Sequence, residues 1–257
     1  MIKKTMSSSI YYSLESALTT LVQVQQDPEV HKLLDICKKD GVLKEFEGRY
    51  LPVETSHKSK PASAPFIVIE GLDGTGKTTI SAKVQQRYRM CAMQTPPAKI
   101  AHFRDFFDNQ SETVKRAYYS LGNYVAANNV LKCTEPVIMD RFWHSTAAYA
   151  IGRTADEEIL KNVNLDWPHD LLKPNLVLFL LASEQERVRR HATRLLQTNT
   201  PEEQSLAKDQ AFRDRIVDVY RRIKGPQIFE VNADASMEEV ENRLFEKIET
   251  TFPALRP

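Results

Sequence analysis

"FIVIEGLDGTGKTT", Phe66–Thr79, is the stretch on which the reading of this chain turns. Phe66, Ile67, Val68 and Ile69 are apolar in succession, the pattern of a short strand covered on both faces. A glycine turn follows, and a helix can begin near Lys77. Gly71, Gly76, Lys77 and Thr78 satisfy G-x-x-x-x-G-K-T in full. Glycines let backbone N–H groups converge on phosphate oxygens. The lysine sets a point charge on β and γ phosphates, and the threonine offers a hydroxyl to Mg²⁺. The start of the helix adds its positive end.

Outward from this cradle the chain alternates apolar runs with helical periods. "AKIAHF" (Ala98–Phe103) is expected as a second strand, "PVIMD" (Pro136–Asp140) as a third, "NLVLFLLA" (Asn175–Ala182) as a fourth and "QIFEVNA" (Gln227–Ala233) as a fifth. Ser111–Cys133 and Ser236–Ile248 have helical period, and Thr200, Pro201 and Glu203 have the spacing of a capped helix start. This order implies an α/β protein: a P-loop fold with a five-stranded parallel sheet and helices on both faces. Ligands of such sheets bind beyond the carboxyl ends of the strands. The glycine turn, Asp140 and the segment after Ala182 lie at those ends.

Before the cradle, Ile10, Leu14, Leu18 and Leu21 fall at helical spacing, and Asp27, Pro28 and Gly41 mark the start and stop of a second helix. Residues 52–65, "PVETSHKSKPASAP", read as a linker. The expected division is an N-terminal helical extension with its linker over 1–64 and a main domain over 65–257.

Composition narrows the function classes. A formal charge of +1 supplies no global field for nucleic acid or an anionic membrane, so neither is expected as a partner. No apolar run approaches the roughly 18 residues of a membrane helix. The three cysteines, Cys37, Cys91 and Cys133, form no C-x-x-C pair, which argues against zinc and a disulfide framework and reads as small, partly buried thiols. Lys3, Lys4 and the serines near the N-terminus lean toward an organelle transit segment, against which a frayed terminus is the plainer alternative.

Beyond the cradle, Asp140 and Arg141 stand where the third strand ends. An acid there can hold a metal-bound water, and an arginine beside it can span two phosphates. No N-K-x-D guanine motif is present.

"EGLDGTGKT" (Glu70–Thr78), "DRFWHSTAAY" (Asp140–Tyr149) and "KPNLVLFL" (Lys173–Leu180), in that order, resemble the thymidylate kinase family over Phe66 to about Ile248. "YYSLGNY" (Tyr118–Tyr124) and "WPHDLLKPN" (Trp167–Asn175) look like its branch of mitochondrial kinases acting on pyrimidine nucleoside monophosphates. The resemblance implies ATP and Mg²⁺ as cofactors, small-molecule nucleotides and a second copy of the chain as partners, and the mitochondrion, or otherwise the cytoplasm, as compartment. Gly71, Gly74, Thr75, Gly76, Lys77, Thr78 and Thr79 would hold the donor nucleotide, with Thr78 and Asp140 toward the metal. Asp73 would contact the acceptor sugar, Arg104 and Arg141 the acceptor phosphate, and Tyr119 the pyrimidine ring. Ser145 would lie near the base and Tyr149 under the sugar. Tyr118, Tyr119 and Tyr124 equally suit a core face, and His144 reads as a packed side chain.

Two departures from the family pattern carry information. Asn123 stands where thymidylate kinases usually carry arginine. An amide both donates and accepts, so by turning it could meet cytosine or uracil. Gly74 stands where some relatives place an arginine. "EQERVRRHATR" offers Arg187, Arg190 and Arg194 on one helical face, with Arg189 off it. By resemblance, Arg190 would stack on adenine and Arg194 would reach the phosphates from a lid; the plain alternative is a solvated helix surface. Lys77, Asp140, Arg141, Arg190 and Arg194 are thus the candidate catalytic residues. The expected reaction is ATP-dependent phosphorylation of CMP, UMP, dCMP and dUMP, with thymidylate phosphorylation or nucleotide binding without turnover as alternatives.

Overall fold

The computed structural model describes residues 10–53, 59–154, 156–192 and 209–256. Two sheets form among them. β1 (Leu43–Phe46) and β2 (Arg49–Pro52) make an antiparallel hairpin. β3 (Phe66–Gly71), β4 (Cys91–Gln94), β5 (Val137–Asp140), β6 (Leu176–Leu181) and β7 (Ile228–Asn232) make a parallel sheet in the order β4-β5-β3-β6-β7. The strand of the opening motif is therefore central.

Successive strand residues point to opposite faces, and both faces are covered. Phe66, Val68, Val137, Met139, Val177 and Phe179 join one core. Ile67, Ile69, Ile138, Leu176, Leu178 and Leu180 join the other. The first face is covered by α1 (Leu14–Val22), α2 (Pro28–Lys39), α6 (Glu112–Lys132), α7 (Trp143–Gly152) and α10 (Gln210–Arg222). The second is covered by α3 (Lys77–Tyr88) and α11 (Met237–Thr251). Short helices α4 (Ala98–Ala101), α5 (Arg104–Asp108) and α8 (Glu157–Asn162), with α9 (Glu184–Ala192) after β6 and a 3-10 turn at Pro253–Leu255, complete the described elements. α11 starts on the full capping box of Ser236 and Glu239.

The N-terminal segment shares the first core. Leu14, Leu18, Leu21, Leu33 and Leu34 are buried in the same cluster as the sheet residues. α1 lies along α6, where Asp170 receives the Leu14 amide at 2.8 Å and the Tyr124 hydroxyl at 2.6 Å. Lys60 donates to the Cys133 and Glu135 carbonyls, at 2.5 and 3.0 Å, pinning the end of the linker.

Three expectations need correction. The second strand is Cys91–Gln94, and Ala98–Phe103 instead contains helix α4. Pro96 and Pro97 intervene; they lack the N–H a ladder needs, and Pro97 serves as N-cap. The extension is not purely helical, because the β1–β2 hairpin follows α2. Its two-residue turn, Glu47 and Gly48, has φ of 50° and 73°, the left-handed pair that suits strand twist. That hairpin takes Pro52 from the expected linker. The helix start expected at Thr200 lies outside the described residues.

α7 crosses α10 at Gly152, where a Cβ would stand 2.6 Å from Ile216 Cγ1 and 3.3 Å from its backbone nitrogen. Gly152→Ala is therefore expected to cost about 1–3 kcal/mol of stability by overpacking, measured as a lowered urea midpoint at unchanged slope.

Candidate active site

The cradle is formed where β3 ends. Gly71 has φ of 150°, and a Cβ there would come within 2.7 Å of the Leu180 carbonyl on β6, so the close approach of the two strands requires glycine. Gly76 is the N-cap of α3, at φ 94°, and provides no side-chain cap. The first amides of α3 thus stay available to an anion. Lys77 is buried and donates to the Leu72 carbonyl at 2.9 Å, with Asp73 Oδ1 3.8 Å away. Burial, with Arg141 nearby, pushes its ammonium down to about 8. The negative charge of a phosphate would shift it back up and favour the ammonium further.

Asp140 ends β5 and receives the Thr78 hydroxyl on Oδ2 at 3.2 Å, while its Oδ1 is buried without a hydrogen-bond partner among the described residues. A hydroxyl and a carboxylate oxygen suit Mg²⁺, which completes its shell with phosphate oxygens and water. No group of three or more His, Cys, Asp or Glu that could hold a metal occurs among the described residues. A cation here would therefore be held jointly with the nucleotide.

Arg141 follows in a left-handed conformation, φ 66°, a cost of about 1–2 kcal/mol for a residue with a side chain. Its N–H donates to Ile69 O at 3.0 Å and its carbonyl accepts from the Thr95 hydroxyl at 3.1 Å, which holds the turn. The turn aims the guanidinium back at the cradle. There Nη2 meets Asp73 Oδ1 at 2.5 Å and Nη1 meets Ser145 Oγ at 3.0 Å. The group also lies 5.4 Å from the Tyr149 ring centre. Burial alone would raise the Asp73 pKa, but the charges of Arg141 and Lys77 overcome it and hold the carboxyl well below the usual range.

Glu70 anchors this wall from behind. It is fully buried and accepts the Phe142 amide at 2.8 Å, the Ser145 hydroxyl at 2.6 Å and the Tyr220 hydroxyl at 2.9 Å. Ser145 therefore reaches the site as a link between Glu70 and Arg141.

A cavity of about 540 Å³ reaches Thr78 and Asp140, and two more flank the glycine turn. One, of about 350 Å³, is lined by Asp73, Thr95, Pro96, Arg104, Lys115, Arg116, Tyr119, Arg141, Ser145, Thr146, Tyr149 and Arg153, among others. The other, of about 440 Å³, is lined by Gly74, Gly76, Thr79, Glu186, Arg189, Arg190 and the Asp234–Met237 turn. Adjacent residues, Asp73 and Gly74, thus wall different cavities. Six of the expected acceptor residues, Asp73, Arg104, Tyr119, Arg141, Ser145 and Tyr149, surround the first.

Asn123 does not line it. The residue is buried, and Nδ2 donates to the Tyr119 carbonyl at 3.2 Å and to Thr146 Oγ1 at 2.9 Å. A carbonyl can only accept, so turning the amide would set two oxygens against each other. Asn123 itself is turned away from the cavity in this arrangement, while Thr146, its hydrogen-bond partner, does line it.

α9 brings Arg187 and Arg190 to the cradle. Arg187 is buried and donates through Nε to the Asp73 carbonyl at 2.7 Å. Arg190 donates to the Thr75 carbonyl at 3.0 Å and the Ala233 carbonyl at 2.6 Å, with Glu186 steadying Nε at 2.6 Å. Arg189 lines the same cavity with its side chain 67% exposed, paired with Glu186 at 2.6 Å. Arg194 lies outside the described residues.

Lys115, Arg116, Arg153 and Thr146 were passed over in the sequence, although helical spacing carried the signal. Lys115 and Arg116 precede Tyr119 by four and three residues, and Ser145, Tyr149 and Arg153 follow each other at intervals of four.

The thymidylate kinase family model matches residues 69–244. The chain belongs to the thymidylate kinase family. This is a family of nucleoside monophosphate kinases, and its model spans the cradle, both cavities and α9. Human "UMP-CMP kinase 2, mitochondrial" is 37% identical over 193 residues, which are 72% of this chain and 43% of that protein's length. This chain thus covers less than half of that relative. A "Probable thymidylate kinase" of Sulfurisphaera tokodaii is 30% identical over 49% of this chain and 67% of its own. Among solved structures, thymidylate kinase from Candida albicans superposes with a TM-score of 0.57 at 19% identity, covering 74% of this chain and 93% of its own. Deoxyadenosine kinase from M. mycoides superposes at 0.53 and 18% identity, covering 72% and 99%. At these identities the superpositions establish the shared fold.

His144 packs at the back of the site, fully buried, 3.9 Å from Glu70 Oε1 and 5.0 Å from the Trp167 ring centre. Burial pushes its imidazole down to about 3 from 6.5. The unfolded chain therefore takes up this proton first, and stability is lost as pH falls from about 6.5 toward about 3. At pH 5 the loss is about 2 kcal/mol. Urea unfolding of the parent and of His144→Phe at pH 7 and pH 5 should show the parent losing more stability over that interval than the variant.

Proposed function

We propose that this chain transfers the γ-phosphoryl group of ATP to the phosphate of a pyrimidine nucleoside monophosphate, with CMP, UMP and their deoxy forms as acceptors. The observation that carries the reading is the pair of cavities on either side of one glycine turn. Two nucleotides seated there would meet phosphate to phosphate beside Lys77 and Arg141.

The donor would occupy the cavity beneath Arg190, with its phosphates on the α3 amides and Lys77. Mg²⁺, held with Thr78 and Asp140, would supply charge neutralisation on the phosphates. Arg141, together with Arg104 or Arg153, would hold the acceptor phosphate. Asp73 would meet the sugar and Tyr119 the base. The acceptor phosphate has a second pKa of about 6, so at neutral pH it is already largely ionised. No general base is needed, and none is assigned. Rate enhancement would come from alignment and from cations set where charge accumulates. Asp73 would also contribute by fixing the Arg141 guanidinium.

Thr146 is the polar group in the cavity that fits a base edge. Its hydroxyl accepts from Asn123 and keeps one O–H and one lone pair. It can thus donate to a ring carbonyl or accept from an exocyclic amine, which suits uracil and cytosine alike. The mitochondrial compartment is proposed because a relative bears that name. A homodimer is proposed on the family resemblance. No helix among the described residues is long and apolar enough to cross a membrane.

A coupled assay of ADP release across CMP, UMP, dCMP, dUMP, dTMP and AMP tests the proposal. Turnover is expected with the cytidine and uridine forms, and Arg141→Ala should lower kcat by about 10²–10³-fold. Turnover of dTMP alone would overturn the substrate assignment, and ATP binding without any diphosphate product would overturn catalysis. Thr146→Val, which keeps shape and removes the hydroxyl, should lower kcat/KM for CMP and UMP about tenfold. An unchanged value would remove Thr146 from base recognition.

A further inference from the structure

Cys91 opens β4 and Cys133 is the C-cap of α6, yet their sulfurs lie 3.0 Å apart. Both thiols are free and half-buried, whereas the third, Cys37, is fully buried. The approach is built into the backbone. The Cys91 amide donates to Pro136 O at 2.8 Å, tying β4 to the start of β5. The Cys133 amide donates to Asn129 O at 3.1 Å, and its carbonyl accepts Lys60 Nζ at 2.5 Å. Each sulfur is thus presented by an element held on other bonds. Closing to the roughly 2 Å of a disulfide asks for a movement of only about 1 Å.

The segment between them carries much of the acceptor cavity: Thr95, Pro96, Arg104, Lys115 and Tyr119 all lie between Cys91 and Cys133. A bond at its two ends would staple that wall at its base, away from the cavity itself.

We propose that Cys91 and Cys133 form a dithiol site that is oxidised by small disulfides of the glutathione type into an internal disulfide. One cysteine thiolate attacks a sulfur of oxidised glutathione and releases one glutathione thiolate. The second cysteine then displaces the attached glutathionyl group. One sulfur–sulfur bond forms in the protein, one is broken in the oxidant, and two reduced glutathiones carry away the two electrons and two protons. Dithiothreitol reverses the reaction. The site does not depend on which nucleotide the cavity accepts.

The test is to incubate the full chain with excess oxidised glutathione, alkylate it under denaturing conditions and map its peptides. A Cys91–Cys133 disulfide with Cys37 alkylated is expected, together with a thermal midpoint raised by about 5–10 °C and restored by dithiothreitol. Cys133→Ser should instead carry a stable glutathione adduct on Cys91 and show no such rise. Glutathione on both cysteines of the parent, or both still alkylated after incubation, overturns the proposal. So does a rise in midpoint that survives in Cys133→Ser.

Discussion

The ion pair between Asp73 and Arg141 is the contact on which the site depends. Lys77, Arg141, Arg187 and Arg190 converge on one glycine turn. Cations brought together in a partly dry cleft repel each other and lose hydration. Asp73 answers both costs, with its carboxylate between Arg141 and Lys77 and its carbonyl on Arg187. The pair also stands at the divide between the two cavities, because Asp73 faces one and its neighbour Gly74 the other.

A recurring device is the carboxylate that supports a group it helps to place. Glu70 receives the Ser145 hydroxyl that in turn accepts from Arg141. Asp108 receives the Tyr119 hydroxyl at 2.8 Å and pairs with Lys115 at 3.2 Å. Glu186 steadies Arg190 at 2.6 Å. Long cationic side chains lose rotamer freedom when they are held. These partners offset part of that cost by holding the side chains in place. The N-terminal helices act at one remove: α1 lies along α6, the helix that carries Lys115 and Tyr119, and Asp170 joins the two.

Much of this was legible in the chain. The continuous apolar run at Phe66–Ile69 marked a strand buried on both faces, and the glycine spacing marked the cradle. Asp140 and Arg141 were legible because they stand directly after a buried run. The strand at Cys91–Gln94 was not: it is short, at the sheet edge and weakly patterned, while the more apolar run beyond the prolines is helical. The β1–β2 hairpin was missed because its only local mark is the Glu47–Gly48 turn. The burial of Asn123 behind Thr146 was not legible, because spacing along a helix does not say which side chain lies nearer the cavity. Cys91 and Cys133 looked unrelated for the same reason, since their nearness is set by strand β4 packing beside the end of α6.

Sequence alone determined the alternation of strands and helices, the phosphate cradle and the presence of cations around it. These rest on local rules: the side-chain period of strand and helix, the freedom of glycine, and the charge of lysine and arginine. Tertiary structure decided which cation meets which carboxylate, that Thr146 stands between Asn123 and the cavity, and that two distant thiols touch. Those outcomes depend on the register of strands and the rotation of packed helices, which arise only when the two cores close around the sheet.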